Sequence, residues 1–167
     1  MFWPSIALLT FVTLQRLAEL IYARHNTAAL LAQGGREIAP GHYPYMVAMH
    51  TAWLVSLWLF ATGRPVVPVW VVIFMVLQGL RVWVLATLKG RWTTRIIVLP
   101  REPLVRTGPY RFLNHPNYFV VVAEIALLPL VFGLVEYAVI FSLANALLLM
   151  WRIRAEDRAL ANRQGAV

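Results

Sequence analysis

The sequence predicts an all-α integral membrane protein with about five transmembrane helices. Three observations carry that expectation. Hydrophobic residues fill 60% of the 167 positions and charged residues 13%, where a soluble domain holds about 45–50% and about 25%. The apolar residues gather into five segments close to the roughly 20 residues needed to cross a bilayer. The basic residues crowd into the connectors that five spans would place on one side.

The first segment runs from Pro4 to Ala23. The N-terminus, "MFWPSIALL", lacks a basic leader and a small-residue cleavage site, so it reads as a retained helix and not a signal peptide. Arg16 and Glu19 lie within this segment, spaced to pair on one helix face. The second segment, Tyr45–Ala61, and the third, Pro68–Leu88, are separated by a short connector carrying Arg64. Arg81 lies two turns from the end of the third. It reads either as snorkelling to the interface or as pointing into a site under the following loop.

That loop, Gly90–Asn117, is the longest and most basic connector. Its apolar stretch "RIIVLP" (Arg95–Pro100) reads as a short strand or an extended clamp. The fourth segment spans Tyr118–Leu134 and the fifth Glu136–Trp151. Between them "FGLVEY" suggests a tight helix hairpin or a pair of half-inserted helices. Glu124, less than two turns into the fourth segment, is a natural counter-ion for Arg81. The tail "WRIRAEDRALA" (Trp151–Ala161) keeps helical character while turning polar, so the fifth helix is expected to continue out of the membrane.

Charge placement fixes an expected orientation. Arg24, Arg36, Lys89, Arg91, Arg95, Arg101, Arg106, Arg111, Arg152, Arg154, Arg158 and Arg163 fall on one side of five spans, and Arg64 on the other. The positive-inside rule puts the N-terminus outside and the C-terminus in the cytoplasm of the cell (inner) membrane. The net charge of +8 therefore reads as topology, and no nucleic-acid partner is expected. With no cysteine, disulfides, thiolate nucleophiles and cysteine metal sites are excluded. His25, His42 and His50 do not recur at metal-ligand spacing, so no metal is assigned. The seven tryptophans suit membrane-interface belts. The chain reads as one domain over 1–167, with 1–62 as an N-terminal helical pair and 68–167 as the core.

The stretch "RTGPYRFLNHPNYFVVVAE" (Arg106–Glu124) joins a polar, rigid segment directly to an apolar helix. Pro109 and Pro116 fix φ and remove two backbone donors, Pro116 biases His115 away from helix, and Gly108 permits a tight turn. Asn117 is placed to cap the fourth helix. The segment reads either as an interfacial anchor of Tyr and Arg or as a shelf for a small polar ligand.

"GPYRFLNHPNY" resembles the G-x-Y-R-x-x-R-H-P-x-Y signature of the isoprenylcysteine carboxyl methyltransferase family, in its small bacterial form. The resemblance continues upstream in "LKGRWTTRIIV" and "LVRTGPY" and downstream in "RIRAEDRAL", covering about half the chain. It implies a membrane methyltransferase using S-adenosylmethionine as cofactor on a lipophilic acceptor drawn from the membrane lipid. It implies a cofactor pocket at the cytoplasmic face, made by the loop after the third helix, the HPNY segment and the C-terminal helix. Carried over by position, His115, Pro116, Asn117 and Tyr118 would line that pocket, with Gly108, Tyr110, Val98, Leu104 and Val105 beside them. Arg152 would orient the acceptor oxygen and Glu156 would hold the cofactor or its sulfonium. Trp92, Arg81 and Glu124 fall toward the acceptor.

Three positions depart from the pattern. Asn114 stands where the family carries arginine, Asp157 replaces a glutamate, and the aromatic-rich tail of eukaryotic members does not follow Leu160. The last feature points away from a prenylated protein and toward a small lipophilic acceptor: an isoprenoid acid, a prenylcysteine-like molecule or a phenolic lipid. Two other readings compete. One is an NADPH-dependent membrane reductase of the sterol-reductase type, which is larger. The other is a non-catalytic membrane subunit or small transporter, which predicts midplane charges on several helices.

Overall fold

The computed structural model describes residues 3–99 and 102–164, with the side chains of 157 and 159–164 outside the description. Pro100, Arg101 and the side chains of Asp157, Leu160 and Arg163 therefore lie outside the described residues. Five helices make up most of the chain: α1 (Trp3–Ala32), α2 (Tyr43–Ala61), α3 (Pro68–Leu88), α4 (Pro116–Val131) and α5 (Val135–Gln164). Four of them are long and apolar enough to cross a membrane, and α4 is a shorter apolar helix. At about 1.5 Å per residue, the 16 residues of α4 reach roughly 24 Å.

The helix cores lie where the apolar segments predict, but α1 extends well beyond them. Nothing in "RHNTAALLA" breaks a helix, so α1 runs nine residues past Ala23 and stops before Gly34, whose φ of +86° ends it. Arg24 and His25 thus belong to a helix and not to a connector. The fifth helix continues unbroken to Gln164, past the apolar span that ends at Glu156. The α4–α5 turn is a tight hairpin. Gly133 takes φ +68°, and Gly133 and Leu134 donate their amides to Leu130 and Pro129.

Ile97–Val98 (β2) is the short strand hidden in "RIIVLP". Its partner, Arg36–Glu37 (β1), gave no signal of its own. The two pair antiparallel, Arg36 opposite Val98 and Glu37 opposite Ile97. This two-residue ribbon ties the α1–α2 connector to the loop after α3.

Leu9, Val12, Trp53, Leu57, Phe74, Ile125 and Leu128 form the main core between the helices. Ile21, Leu59, Val76 and Leu143 point outward and stay exposed, the apolar outer surface that lipid requires. Between these layers sits a buried polar cluster. Arg81, 2% exposed, donates from Nε to Glu124 Oε1 at 2.7 Å and from Nη1 to Glu19 Oε2 at 2.8 Å. Its Nη2, and that of Arg16, both reach Glu124 Oε2. Arg16 Nη1 also meets Glu19 at 2.9 Å, the i, i+3 pair read from the sequence. Gln78 donates to Glu124 Oε1 at 2.7 Å, and Gln15 donates to Gln78 at 2.8 Å and Glu19 at 3.0 Å. Two guanidiniums against two carboxylates leave no net charge. This arrangement makes burial in a membrane tolerable.

Candidate active site

The site is built at the basic end of the bundle, where α1, α3 and α5 end and α4 begins. α3 closes with Lys89 at φ +50°, a conformation disfavoured for a residue with a side chain. Asn26 on the extended end of α1, 3% exposed, donates its amide to Lys89 O at 3.2 Å and to Trp92 O at 2.9 Å. These bonds hold the strained turn and seat Trp92. Tyr22, one turn earlier on α1, stacks on the Trp92 ring at 6.1 Å and 15°. The Trp92 indole N–H donates to Asn117 Oδ1 at 3.2 Å. The expectation that Asn117 caps α4 is therefore corrected. α4 starts at Pro116, His115 occupies the cap position without a side-chain bond, and the Asn117 carbonyl is engaged by Trp92.

The loop next runs along the ribbon. Arg95 clamps Glu37 through both carboxylate oxygens, at 2.8 and 2.9 Å, and lies 4.3 Å above the Tyr43 ring. The Gly108–Arg111 turn then docks on α3. Gly108 has φ +56°, and a Cβ there would fall 2.4 Å from Thr87 Oγ1, so only glycine fits both the conformation and the space.

Three side chains from two helices meet beneath this loop. Arg152, 7% exposed, donates from Nε to the Tyr118 hydroxyl at 2.9 Å and from Nη1 to Thr94 O at 2.7 Å. The Tyr118 hydroxyl in turn donates to Glu156 Oε2. His115 stacks on the Tyr118 ring at 5.2 Å and 17°. Arg152 and Glu156, one turn apart on α5, are thus joined through a tyrosine from α4. Sequence spacing placed them on one face. It could not show that Tyr118 lies between them.

These groups open onto a cavity of about 760 Å³, within the roughly 300–1,000 Å³ range of small-molecule sites. Its walls include Trp92, Val98, Leu104, Val105, Tyr110, His115, Asn117, Tyr118, Arg152 and Glu156. Gly108 and Pro116 shape the loop and do not line the cavity. Arg81 and Glu124, expected near an acceptor, do not line it either, since their hydrogen bonds are spent on each other, Glu19, Arg16 and Gln78. Thr93, Ile96 and Ile97 join the lining without having been singled out. They are bland residues brought in by the strand pairing.

The electrostatics are lopsided. Arg91, Arg95, Arg106 and Arg111 line the cavity beside Arg152, and Glu156 is the acidic residue among the described lining. The cavity is therefore strongly positive even with asparagine at 114, exposed at the rim, where the family pattern carries arginine. Burial first, and the Glu156 carboxylate second, push the Tyr110 phenol above its ordinary pKa. It stays a neutral hydrogen-bond donor at any physiological pH.

The residues suit S-adenosylmethionine on three counts. A lone carboxylate among aromatic rings favours a sulfonium, arginines match a carboxylate, and the cavity has the volume for a nucleoside.

No solved structure matches the chain. YpbQ of Bacillus subtilis (strain 168), described as uncharacterized, is 41% identical over 165 residues, 96% of each chain. An uncharacterized Haemophilus influenzae protein is 32% identical over 82 residues, 48% of this chain and 47% of its own. The profile of the isoprenylcysteine carboxyl methyltransferase family matches residues 70–162, a span that begins within α3 and encloses every residue lining the cavity except Leu30. The chain is an integral membrane protein and belongs to the isoprenylcysteine carboxyl methyltransferase family.

Proposed function

We propose that the protein transfers a methyl group from S-adenosylmethionine to the carboxylate or hydroxyl oxygen of a lipophilic acceptor held in the membrane. The observation that carries this reading is the Arg152–Tyr118–Glu156 relay, facing a nucleoside-sized cavity at the basic end of an apolar bundle. S-adenosylmethionine would supply the activated methyl. The chain's own part is placement and electrostatics.

In this reading Glu156 balances the positive sulfonium, with Tyr118 fixing which carboxylate oxygen faces the cavity. Tyr118, with Arg152 donating to its oxygen, is a polarised donor toward Glu156. Trp92, Tyr110 and His115 form aromatic walls, and Val98, Leu104 and Val105 give an apolar lining. Arg91, Arg106 and Arg111 attract an anionic acceptor or the cofactor's carboxylate. A carboxylate acceptor is ionised at neutral pH, whereas a phenol, with a reference pKa of about 10, gains from the positive surroundings. The polar cofactor enters from the cytoplasm and the acceptor arrives sideways from the bilayer.

The test is incubation of the purified full chain with methyl-labelled S-adenosylmethionine and a total lipid extract. Label recovered in lipid supports the reading, and base-labile label marks an ester over an ether. Binding of NADPH in place of S-adenosylmethionine would instead mark a reductase, and binding of neither a non-catalytic subunit.

A further inference from the structure

A second cavity, of about 700 Å³, lies on the other side of α5. Leu147, Met150, Trp151, Arg154 and Arg158 line it from the helix, and Ile38 and Ala39 from the α1–α2 connector. On a helix of 3.6 residues per turn, positions 147, 151, 154 and 158 form one stripe. Glu156 points the opposite way, and Arg152 lies well round the helix from the stripe.

The stripe changes character along its length. Leu147, Met150 and Trp151 are exposed apolar residues within the span that ends at Glu156. Arg154 and Arg158 follow at the end of that span and one turn beyond, both exposed. They sit i, i+4, a spacing at which like charges repel, and no acidic side chain among the described residues pairs with either. The far wall is fixed. Ala39 takes φ +46° with its carbonyl bonded to His42 Nδ1 at 2.5 Å, and Ile38 N donates to Ile96 O at 2.9 Å. Trp151 packs against His42 and Tyr45 at 6.2 and 5.9 Å.

We propose that this groove binds one anionic phospholipid of the surrounding bilayer, its phosphate between Arg154 and Arg158 and an acyl chain along Leu147, Met150 and Ile38. The occupant follows from depth and charge. The apolar part lies where acyl chains are, and the arginine pair, with no acidic partner among the described residues, lies at headgroup level. The inference does not depend on methyl transfer. Because α5 lines both cavities and Ile38 is bonded to Ile96 of the first, a bound lipid also braces the end of α5 that carries Glu156.

The experiment is native mass spectrometry of the full chain released from nanodiscs of equal phosphatidylglycerol and phosphatidylcholine. The wild type is expected to retain phosphatidylglycerol over phosphatidylcholine by about tenfold. Arg158→Gln alone should lower that preference by about threefold, and Arg154→Gln/Arg158→Gln should abolish it with unchanged melting. The charge-matched control Arg24→Gln/Arg64→Gln should keep it. An unchanged preference in the double variant overturns the proposal. So does equal loss in the control, which would mean bulk charge, or displacement of the lipid by inorganic phosphate alone, which would mean a free-anion site.

Discussion

Two clusters of charge lie in this molecule and are put together in opposite ways. In the bundle, Arg16 and Arg81 face Glu19 and Glu124. Both Glu124 oxygens are bonded, and the Arg81 guanidinium has contacts from all three nitrogens. At the basic end, Arg152 and Glu156 do not close on each other. They meet through the Tyr118 hydroxyl, and the cavity lies against them. The first cluster is neutral and, apart from Arg16 Nε, its charged atoms are bonded to one another or to Gln15 and Gln78. The second sits among surplus arginines and stays open. A closed ion network stabilises a fold, and an open one is available to a ligand. Composition cannot distinguish the two, because each offers arginine and glutamate on apolar helices.

Substitutions can break that contrast. The largest effect is expected from Glu124→Gln, which leaves the Arg16 and Arg81 guanidiniums to share Glu19 alone. Removing one partner of a buried pair costs about 3–5 kcal/mol, enough to lose folded protein on size exclusion and lower the melting temperature sharply. Replacing the pair together, Arg81→Met/Glu124→Leu, leaves Arg16 paired with Glu19 and should recover most of the stability. If that double variant folds but loses turnover, the bundle cluster serves the chemistry after all and the contrast fails.

Gly108→Ala comes next. A left-handed backbone costs a side chain about 1–2 kcal/mol, and its Cβ would run into Thr87. The Gly108–Arg111 turn should shift, weakening cofactor affinity more than it lowers melting. Asn26→Ala removes both bonds that hold Lys89 and Trp92. Lys89 O keeps the Trp92 backbone N–H, but the buried Trp92 carbonyl loses its amide donor, which costs about 1–3 kcal/mol, and Trp92 fluorescence should report a loosened wall. Tyr118→Phe is the mildest. It deletes the relay hydroxyl and keeps the ring against His115, so affinity for S-adenosylmethionine should fall by about tenfold, the equivalent of one charge-assisted hydrogen bond. Calorimetric titration reads that change directly.

The helices were legible because lipid imposes length and hydropathy on each one. The hairpin at Gly133 and the outward run of α5 follow from the same pattern. The site was legible in composition and not in connection. Glycines, prolines, Tyr118, Arg152 and Glu156 stand in recognisable blocks, yet the hydroxyl between the two α5 residues depends on how α4 packs against α5. Asn26 and the Arg36–Glu37 strand were invisible for a different reason. An asparagine in a helix and two charged residues in a connector have no periodic signature, and their partners lie more than 50 residues away. Arg81 and Glu124 were correctly paired from their shared depth. Their distance from the cavity came from the reach of Arg16 and Glu19 across the bundle, which no spacing along one helix encodes.

The most direct test of the account is titration of the purified full chain and of Glu156→Gln with S-adenosylmethionine, alongside their melting curves. The account predicts micromolar binding by the wild type, loss of at least tenfold in the variant, and melting temperatures that agree within a few degrees. Equal affinity in the two proteins would remove Glu156 from the site and contradict the central claim.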